Sequence, residues 1–378
     1  MLTINDWSFW EKDLYLNNLN FVIIGAGIVG YNTALQLRKK HPKSKILILE
    51  RGILPTGAST KNAGFTCFGS PTEIQSDIDK MGVQEVGALI EKRWKGLELL
   101  MKTVGTDAID YQNNGSFEIF KASEKELYNK TLAQLNDLNK VVFQVIGKKK
   151  SYTEVSTDSF KFNNICGIIK NQYEGQINTG KMMHRFHQLA TSKNIPVLFG
   201  INVSDWSDHS NGVSVKTSIG TIETEQLLIA TNGFTKKLLP EIDLKPARSQ
   251  VLITEPFEKP PFVGTFHYDK GYSYFRNVGN RILLGGGRNK DFDGEITTEF
   301  SNTPVIMNHL KLLLEEVIIP GKKYKIDQSW SGIMGIGESK SPIIKKHSKN
   351  VTIGVRLGGM GVAMGSLIGR DLAKLTYT

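Results

Sequence analysis

The 378-residue sequence predicts an α/β chain in which one parallel-sheet domain is assembled from separated stretches and interrupted by a second, mostly antiparallel α+β domain. Three observations carry this. An apolar run, a glycine turn and a helical pattern follow one another from Phe21 to Lys40, and strand, glycine-rich turn and helix recur from Asn350 to Leu375. Midway, the apolar run Leu227 to Ala230 reads as a buried strand ending in small polar residues. Residues 247–287, with "RSQVLITE", "YSYFR" and "RILLGGG", are dense in strand signals. The discontinuous first domain is expected over 1–85, 172–242 and 340–378, and the second over 86–171 and 243–339.

In "FVIIGAGIVGYNTALQLRKK" the segment Phe21 to Ile24 is a strand candidate, and Tyr31 to Lys40 a helix with Ala34, Leu35 and Leu37 facing inward. Gly25, Gly27 and Gly30 at the junction suit separate tasks: a tight turn, close approach of backbone to a pyrophosphate, and packing of helix on strand. The helix N-terminus offers free N–H groups and partial positive charge to phosphates. "KILILE" is a second strand ending in Glu50, 20 residues after Gly30, the spacing of a carboxylate that binds a ribose. Together they indicate a Rossmann-like dinucleotide-binding unit. The alternative is a strand-helix-strand unit whose glycines serve packing alone.

The polar stretch "RGILPTGASTKNAGFTCFGS" is expected to be a loop, followed by a helix over Asp77 to Thr103. "GSFEIF" reads as a strand and Lys121 to Asn139 as an amphipathic helix. "GKMMHRFHQLATSKNI" reads as a helix leading into the strands "PVLFG" and "INVSDW", then "GVSVKTS" and "GTIETEQLLIATNGF". A helix is expected over Pro304 to Glu316. The first 18 residues lack a basic segment followed by an apolar core, and no apolar run approaches the ~20 residues of a membrane span. Cys67 and Cys166 are the only cysteines and form no metal-ligand spacing, so a soluble, cytoplasmic, metal-free protein is expected. The formal charge of +10 is spread without an aromatic ladder, so it reads as a solvated basic surface, with nucleic acid the less favoured partner and still open.

Other features select FAD among dinucleotides. "GASTKNAGF" can present backbone N–H groups with Ser59, Thr60 and Asn62 to a long cofactor. Ala230, Thr231 and Gly233 can lie flat against it, and "LGGMGVAMG" supplies a second helix N-terminus for its far end. With these residues the chain resembles the D-amino-acid oxidase (DAO) superfamily of FAD-dependent oxidoreductases, which includes glycine, sarcosine and gamma-glutamylputrescine oxidases. The matching residues are Gly25 to Gly30, Glu50-Arg51, Gly57-Ala58-Ser59, Lys61 to Gly64, Ala230 to Gly233, "PARSQV", Trp330-Ser331-Gly332 and Gly358 to Gly361.

The resemblance implies that Gly25, Gly27, Ile28 and Gly30 hold the pyrophosphate and Glu50 and Arg51 the adenosine end, with Val203 beside adenine. Gly57, Ala58, Ser59, Asn62, Ala63 and Gly64 would line the flavin side, and Gly358, Gly359, Met360, Gly361 and Val362 the pyrimidine edge of the flavin. It implies noncovalent FAD, hydride transfer from an amine or amino-acid carbon to flavin N5, hydrolysis of the imine, and O2 or another electron acceptor. The carboxylate-binding cations of relatives align with Met334, Gly359 and Ala363 here, and an oxygen-activating Lys with Leu283, so those positions carry no cation. Arg276, Arg281 and Arg356 are the candidate replacements, with Tyr274, and Tyr272 on the same strand face, lining an amine pocket. His267 is expected on an exposed loop. The competing functions are an FAD enzyme acting on an aminomethyl group of tRNA and a partner-dependent FAD electron-transfer subunit.

Overall fold

In the strand Phe21–Ile24 of the computed structural model, which describes residues 3–376, successive side chains enter opposite cores. Phe21 and Ile23 join one and Val22 and Ile24 the other; Ile46 and Ile48 divide from Leu47 and Leu49 in the same way in Ile46–Glu50. Burial on both faces explains why these strands read as unbroken apolar runs. They form the centre of a six-stranded sheet in the order Ile343–Lys346, Val351–Val355, Gln226–Ile229, Phe21–Ile24, Ile46–Glu50 and Val197–Phe199. All its pairs are parallel except that of the edge strand Ile343–Lys346. Helices Ile28–Lys40, Thr179–Ser192 and Gly361–Leu375 cover one face. A three-stranded antiparallel sheet of Val203–His209, Gly212–Thr217 and Gly220–Thr224 covers the other.

Glycines set how closely the helices meet. A Cβ on Gly96 would fall 1.9 Å from the Ala363 carbonyl oxygen, and one on Gly369 would fall 2.6 Å from that of Val29. Helix Gly361–Leu375 is thus pressed between Ile28–Lys40 and Val83–Val104, and Gly365 and Gly369, one helical turn apart, serve that packing. The predicted helix over 77–103 is in fact two, Pro71–Met81 and Val83–Val104, broken at Gly82, whose φ of +83° no ordinary helix residue adopts. The expected division between residues 85 and 86 falls inside the second. Its Val86 and Ile90 pack with Phe120 and Val142, while Leu97 and Leu100 pack against the parallel-sheet helices. The helix expected over 121–139 is displaced to Lys125–Ile146, because Lys121 ends the preceding strand.

The second sheet has eight strands, in the order Ile326–Ile336, Lys245–Thr254, Arg281–Gly286, Ser273–Val278, Thr265–Tyr268, Ser116–Lys121, Ile165–Asn171 and Tyr152–Val155. Thr265–Tyr268 pairs with Ser116–Lys121 in parallel; the other pairs are antiparallel. One face is aromatic, with Phe117, Phe266 and Phe275 packed on Phe262 and on helix Pro304–Leu313. Alternation sends polar residues to the opposite face, where two rows run across the strands in register. One contains Glu118, His267, Tyr274 and Gly285, the other Ser116, Thr265, Arg276 and Leu283.

Candidate active site

The glycine turn is built by backbone passing backbone. Gly25 has φ +106°, and a Cβ there would lie 2.8 Å from the Ala230 carbonyl oxygen; one on Gly30 would lie 1.9 Å from that of Gly25. Gly27 precedes helix Ile28–Lys40 and caps it with no side chain of its own; Ser59 Oγ accepts the Ile28 N–H at 3.0 Å. Glu50, almost fully buried, accepts the N–H groups of Ala26 and Gly52, both at 3.0 Å. Ile201 and Gly200 donate their N–H groups to the Glu50 and Gly52 carbonyls, which brings the chain just before Val203 beside Glu50. Arg51 lies over the Phe234 ring at 3.6 Å.

From Ser59 a short loop crosses to the second sheet. Gly57 opens the single turn Ala58–Lys61, and Asn62 Nδ2 donates to the Ala58 and Ser59 carbonyls while its Oδ1 accepts the Gly64 N–H at 2.8 Å. Ala63 packs on Val251 and Leu283 of that sheet, and Trp330 Nε1 donates to the Lys61 carbonyl. Gly64 has φ +75°, and the Ile177 carbonyl would block any Cβ at 2.4 Å. Ala230 donates its N–H to the Ile24 carbonyl, Thr231 bonds the Thr235 hydroxyl, and Gly233 lies under the Met334 carbonyl. Gly358 turns with φ +56° and donates to the Gly335 carbonyl. Met360, Gly361 and Val362 then open helix Gly361–Leu375, also without a side-chain cap.

These features fit FAD. Two helix N-termini with no side-chain cap of their own suit an anionic pyrophosphate and the flavin edge that gains negative charge on reduction. A carboxylate stands at the end of the second strand, and a glycine-bearing loop joins the nucleotide turn to the second sheet. Fold and site together define a two-domain dinucleotide flavoprotein. The chain belongs to the FAD-dependent oxidoreductase (DAO) family, whose family model matches residues 20–375. Among curated relatives, the sarcosine oxidase subunit beta of Rhizobium meliloti (strain 1021) is 21% identical over 344 residues, covering 89% of this chain and 79% of that protein. The crystal structure of L-proline dehydrogenase from P.horikoshii is similar with a TM-score of 0.76 at 16% identity, covering 95% of this chain and 93% of that one. Glycine oxidase from Geobacillus kaustophilus gives a TM-score of 0.74 at 18% identity, covering 95% of each chain.

The candidate substrate residues separate in the structure. Tyr274 and Arg276 share one sheet face. The Tyr274 ring packs edge-on against Phe65 and occupies the space that a Cβ on Gly285 would take, and its hydroxyl bonds Ser249 Oγ at 2.9 Å. Burial pushes its pKa up, partly offset by that hydrogen bond, so the phenol stays protonated. Arg276 is 7% exposed, and burial pulls its guanidinium down to about 10. Tyr272 precedes the strand and is exposed, so it does not join this wall.

Arg356, expected as a substrate cation, is instead a structural residue. It holds φ +64° and donates to the Ser341 carbonyl through Nε and Nη2 and to Asp243 through Nη1, so each of its guanidinium nitrogens is engaged. Arg281 bonds the Thr254 carbonyl and Asp327. His267 is not on an exposed loop: it lies on strand Thr265–Tyr268 with Nε2 sealed from solvent, edge-on to Phe65, and burial lowers it to about 4.

Two buried acids escaped sequence reading. Glu118 accepts from Ser70 Oγ and from the Thr72 N–H and hydroxyl, and burial, partly offset by these bonds, raises it to about 7. Glu174 accepts the Phe68 and Gly69 N–H groups, and burial raises it to about 8. Together they clamp the chain that leaves the Ser59–Gly64 loop. Glu118 alternates with apolar neighbours in "GSFEIF", the one local sign that it points away from the aromatic core. Among the described residues no cluster of potential ligands could hold a metal, and no helix is long and apolar enough to cross a membrane.

Proposed function

We propose that the protein oxidises the C–N bond of an amine or amino acid with noncovalently bound FAD. The observation that carries this reading is the polar face of the eight-stranded sheet. It sets Tyr274 and Arg276 beside the loop Ser59–Gly64, whose other end closes on the nucleotide turn. When bound, FAD supplies the hydride acceptor. The chain's own contribution is to bind and orient. Tyr274, fixed by Ser249, offers a rigid aromatic wall and a phenol, Arg276 offers a fixed positive charge, and Gly285 keeps the room Tyr274 needs. The relatives named for sarcosine, L-proline and glycine all share an amino-acid substrate, which favours a C–N bond as the point of oxidation. Cys67 supports noncovalent attachment, because burial pushes its thiol well above the usual range and away from the reactive thiolate.

The test is anaerobic. The purified holoenzyme is mixed with a panel of primary and secondary amines and of D- and L-amino acids, and the visible absorption of the oxidised flavin is followed. Bleaching by at least one of them, with release of a carbonyl product, is expected. Readmitted air then separates an oxidase from a dehydrogenase. A flavin that dithionite reduces and no amine or amino acid does would refute the proposal.

A further inference from the structure

The short helix Phe9–Tyr15 carries more apolar surface than the fold uses. Ser8 Oγ accepts the Glu11 N–H and the Glu11 carboxylate accepts the Ser8 N–H, which caps the start of the helix. Trp7 and Leu16, at its two ends, pack with Ile4 on the core between the parallel and three-stranded sheets, and that fixes its inner side. The outer side carries Phe9, Trp10 and Leu14, which are 66%, 77% and 63% exposed, with the Phe9 and Trp10 rings edge-on at 5.2 Å. Trp10 and Leu14 stand one turn apart and Phe9 adjoins Trp10, so the three form one projecting ridge. A surface helix ordinarily turns a polar stripe to water, and a helix that is apolar on both sides is covered on both.

The charges beside the ridge say what covers it. Lys45 Nζ donates to the Asp13 and Asn17 carbonyls, and Arg38 donates to the carbonyls of Pro42, Ser44, Lys193 and Asn194. These bonds join the helix, the turn 38–45 and the turn 193–194 into one surface, on which Lys39, Lys40, Lys43 and Lys193 are exposed. With Lys12 and the two bonded cations, seven positive charges stand against the four acids Asp6, Glu11, Asp13 and Glu225. Asp6 and Glu11 are turned onto backbone N–H groups of their own helix starts. This basic end is where the parallel strands Phe21–Ile24 and Ile46–Glu50 begin, whereas the glycine turn and Glu50 lie where they finish.

We propose that this end of the molecule docks on an anionic lipid bilayer, with Phe9, Trp10 and Leu14 entering the interface and the lysines meeting the headgroups. Indole and phenyl rings beside exposed lysines are the composition of an interfacial anchor, and an anionic leaflet attracts the cations around them. A second copy of the chain fits less well. Three side chains offer on the order of 500 Å2, less than the roughly 800 Å2 that each partner gives to a stable interface, and two such basic surfaces would repel. Docking by this end leaves the nucleotide turn facing away from the membrane. The proposal does not depend on the reaction proposed above.

The experiment floats the FAD-loaded full chain through a density gradient with vesicles of phosphatidylcholine, alone or mixed with phosphatidylglycerol. Vesicles with brominated acyl chains then test for quenching of tryptophan fluorescence. Flotation with the phosphatidylglycerol vesicles, little with phosphatidylcholine alone, and quenching that Trp10→Phe removes are expected. The combined variant Phe9→Ser, Trp10→Ser, Leu14→Ser should bind at least 100-fold more weakly, at about tenfold for each side chain withdrawn from lipid. Its flavin spectrum and melting temperature should not change, since only the exposed side of the helix is altered. Lys39→Gln, Lys40→Gln and Lys43→Gln together should weaken binding to anionic vesicles by about 100-fold, roughly fivefold for each cation, and added salt should act in the same direction.

A wild type that floats with neither kind of vesicle overturns the proposal, as does flotation that both combined variants retain. A wild-type dimer in light scattering that the serine variant dissociates, without vesicle binding, would instead give the ridge to a second copy of the chain. Retention of single-stranded RNA that the glutamine variant loses and the serine variant keeps, again without vesicle binding, would give the basic surface to nucleic acid.

Discussion

Raising the pH from 6.5 to 8 should destabilise the folded protein by about 2 kcal/mol, chiefly through Glu118 and Glu174. Burial lifts them from an ordinary 4.5 to about 7 and about 8, so in this window the folded state still holds protons that the unfolded chain has released. Stability then falls as pH rises, at up to about 1.4 kcal/mol per pH unit for each group while it stays protonated in the fold. Across the window Glu174 contributes about twice as much as Glu118, because its folded-state pKa lies at the upper limit. His267, lowered to about 4 by burial, acts in the opposite direction, but its effect is nearly complete by pH 6.5, the ordinary histidine value. Glu73 resists burial through Arg93 and Lys340 and is held at about 2, so its stabilisation is full throughout the window and lost only in acid.

Urea unfolding with FAD held saturating would measure the slope, and Glu174→Gln should remove roughly two-thirds of it, since the amide oxygen still accepts the Phe68 and Gly69 N–H groups. A wild type whose stability is flat between these pH values, or a Glu174→Gln protein that keeps the full slope, would refute the reasoning.

Three further outcomes are expected. Gly30→Ala should cost about 3 kcal/mol and most of the affinity for FAD, because its Cβ would overlap the Gly25 carbonyl, and fluorescence of released flavin would report the loss. Arg356→Ala should destabilise by about 2 kcal/mol or more through the orphaned Ser341 and Asp243 carbonyls, with a chemical-denaturation curve as the check. Ser59→Ala should weaken FAD binding by several-fold with little loss of fold stability in the apo form, measured by flavin titration and melting, since a terminal helix N–H can turn to water.

The nucleotide half of the site was legible in the sequence because its information is local. A strand, three glycines and an acid at fixed offsets specify a turn whose backbone has no other way to close, and the structure puts Gly25 and Gly30 where a Cβ would strike a carbonyl. The aromatic and polar faces of the second sheet were half legible, as alternation within "YSYFR" and "GSFEIF". Even the shortfall in helix prediction has a local cause, since the single positive φ at Gly82 divides one periodic pattern into two helices.

What only the tertiary structure decided is which cation is free. In the sequence nothing local separates Arg276 from Arg356, and Arg281 is the weaker third candidate: each is a long side chain next to strand or glycine-rich sequence. Their fates depend on segments far away. Asp243 and Ser341 claim Arg356, Asp327 and Thr254 claim Arg281, and the strands flanking Arg276, together with Gly64, enclose it and offer no acceptor. The same holds for His267, Glu118 and Glu174, whose burial follows from strand neighbours and from the segment Phe65 to Thr72. Backbone geometry is written within a few consecutive residues, whereas the partner and the dielectric surroundings of a charged side chain are set by residues that meet only when the chain has folded.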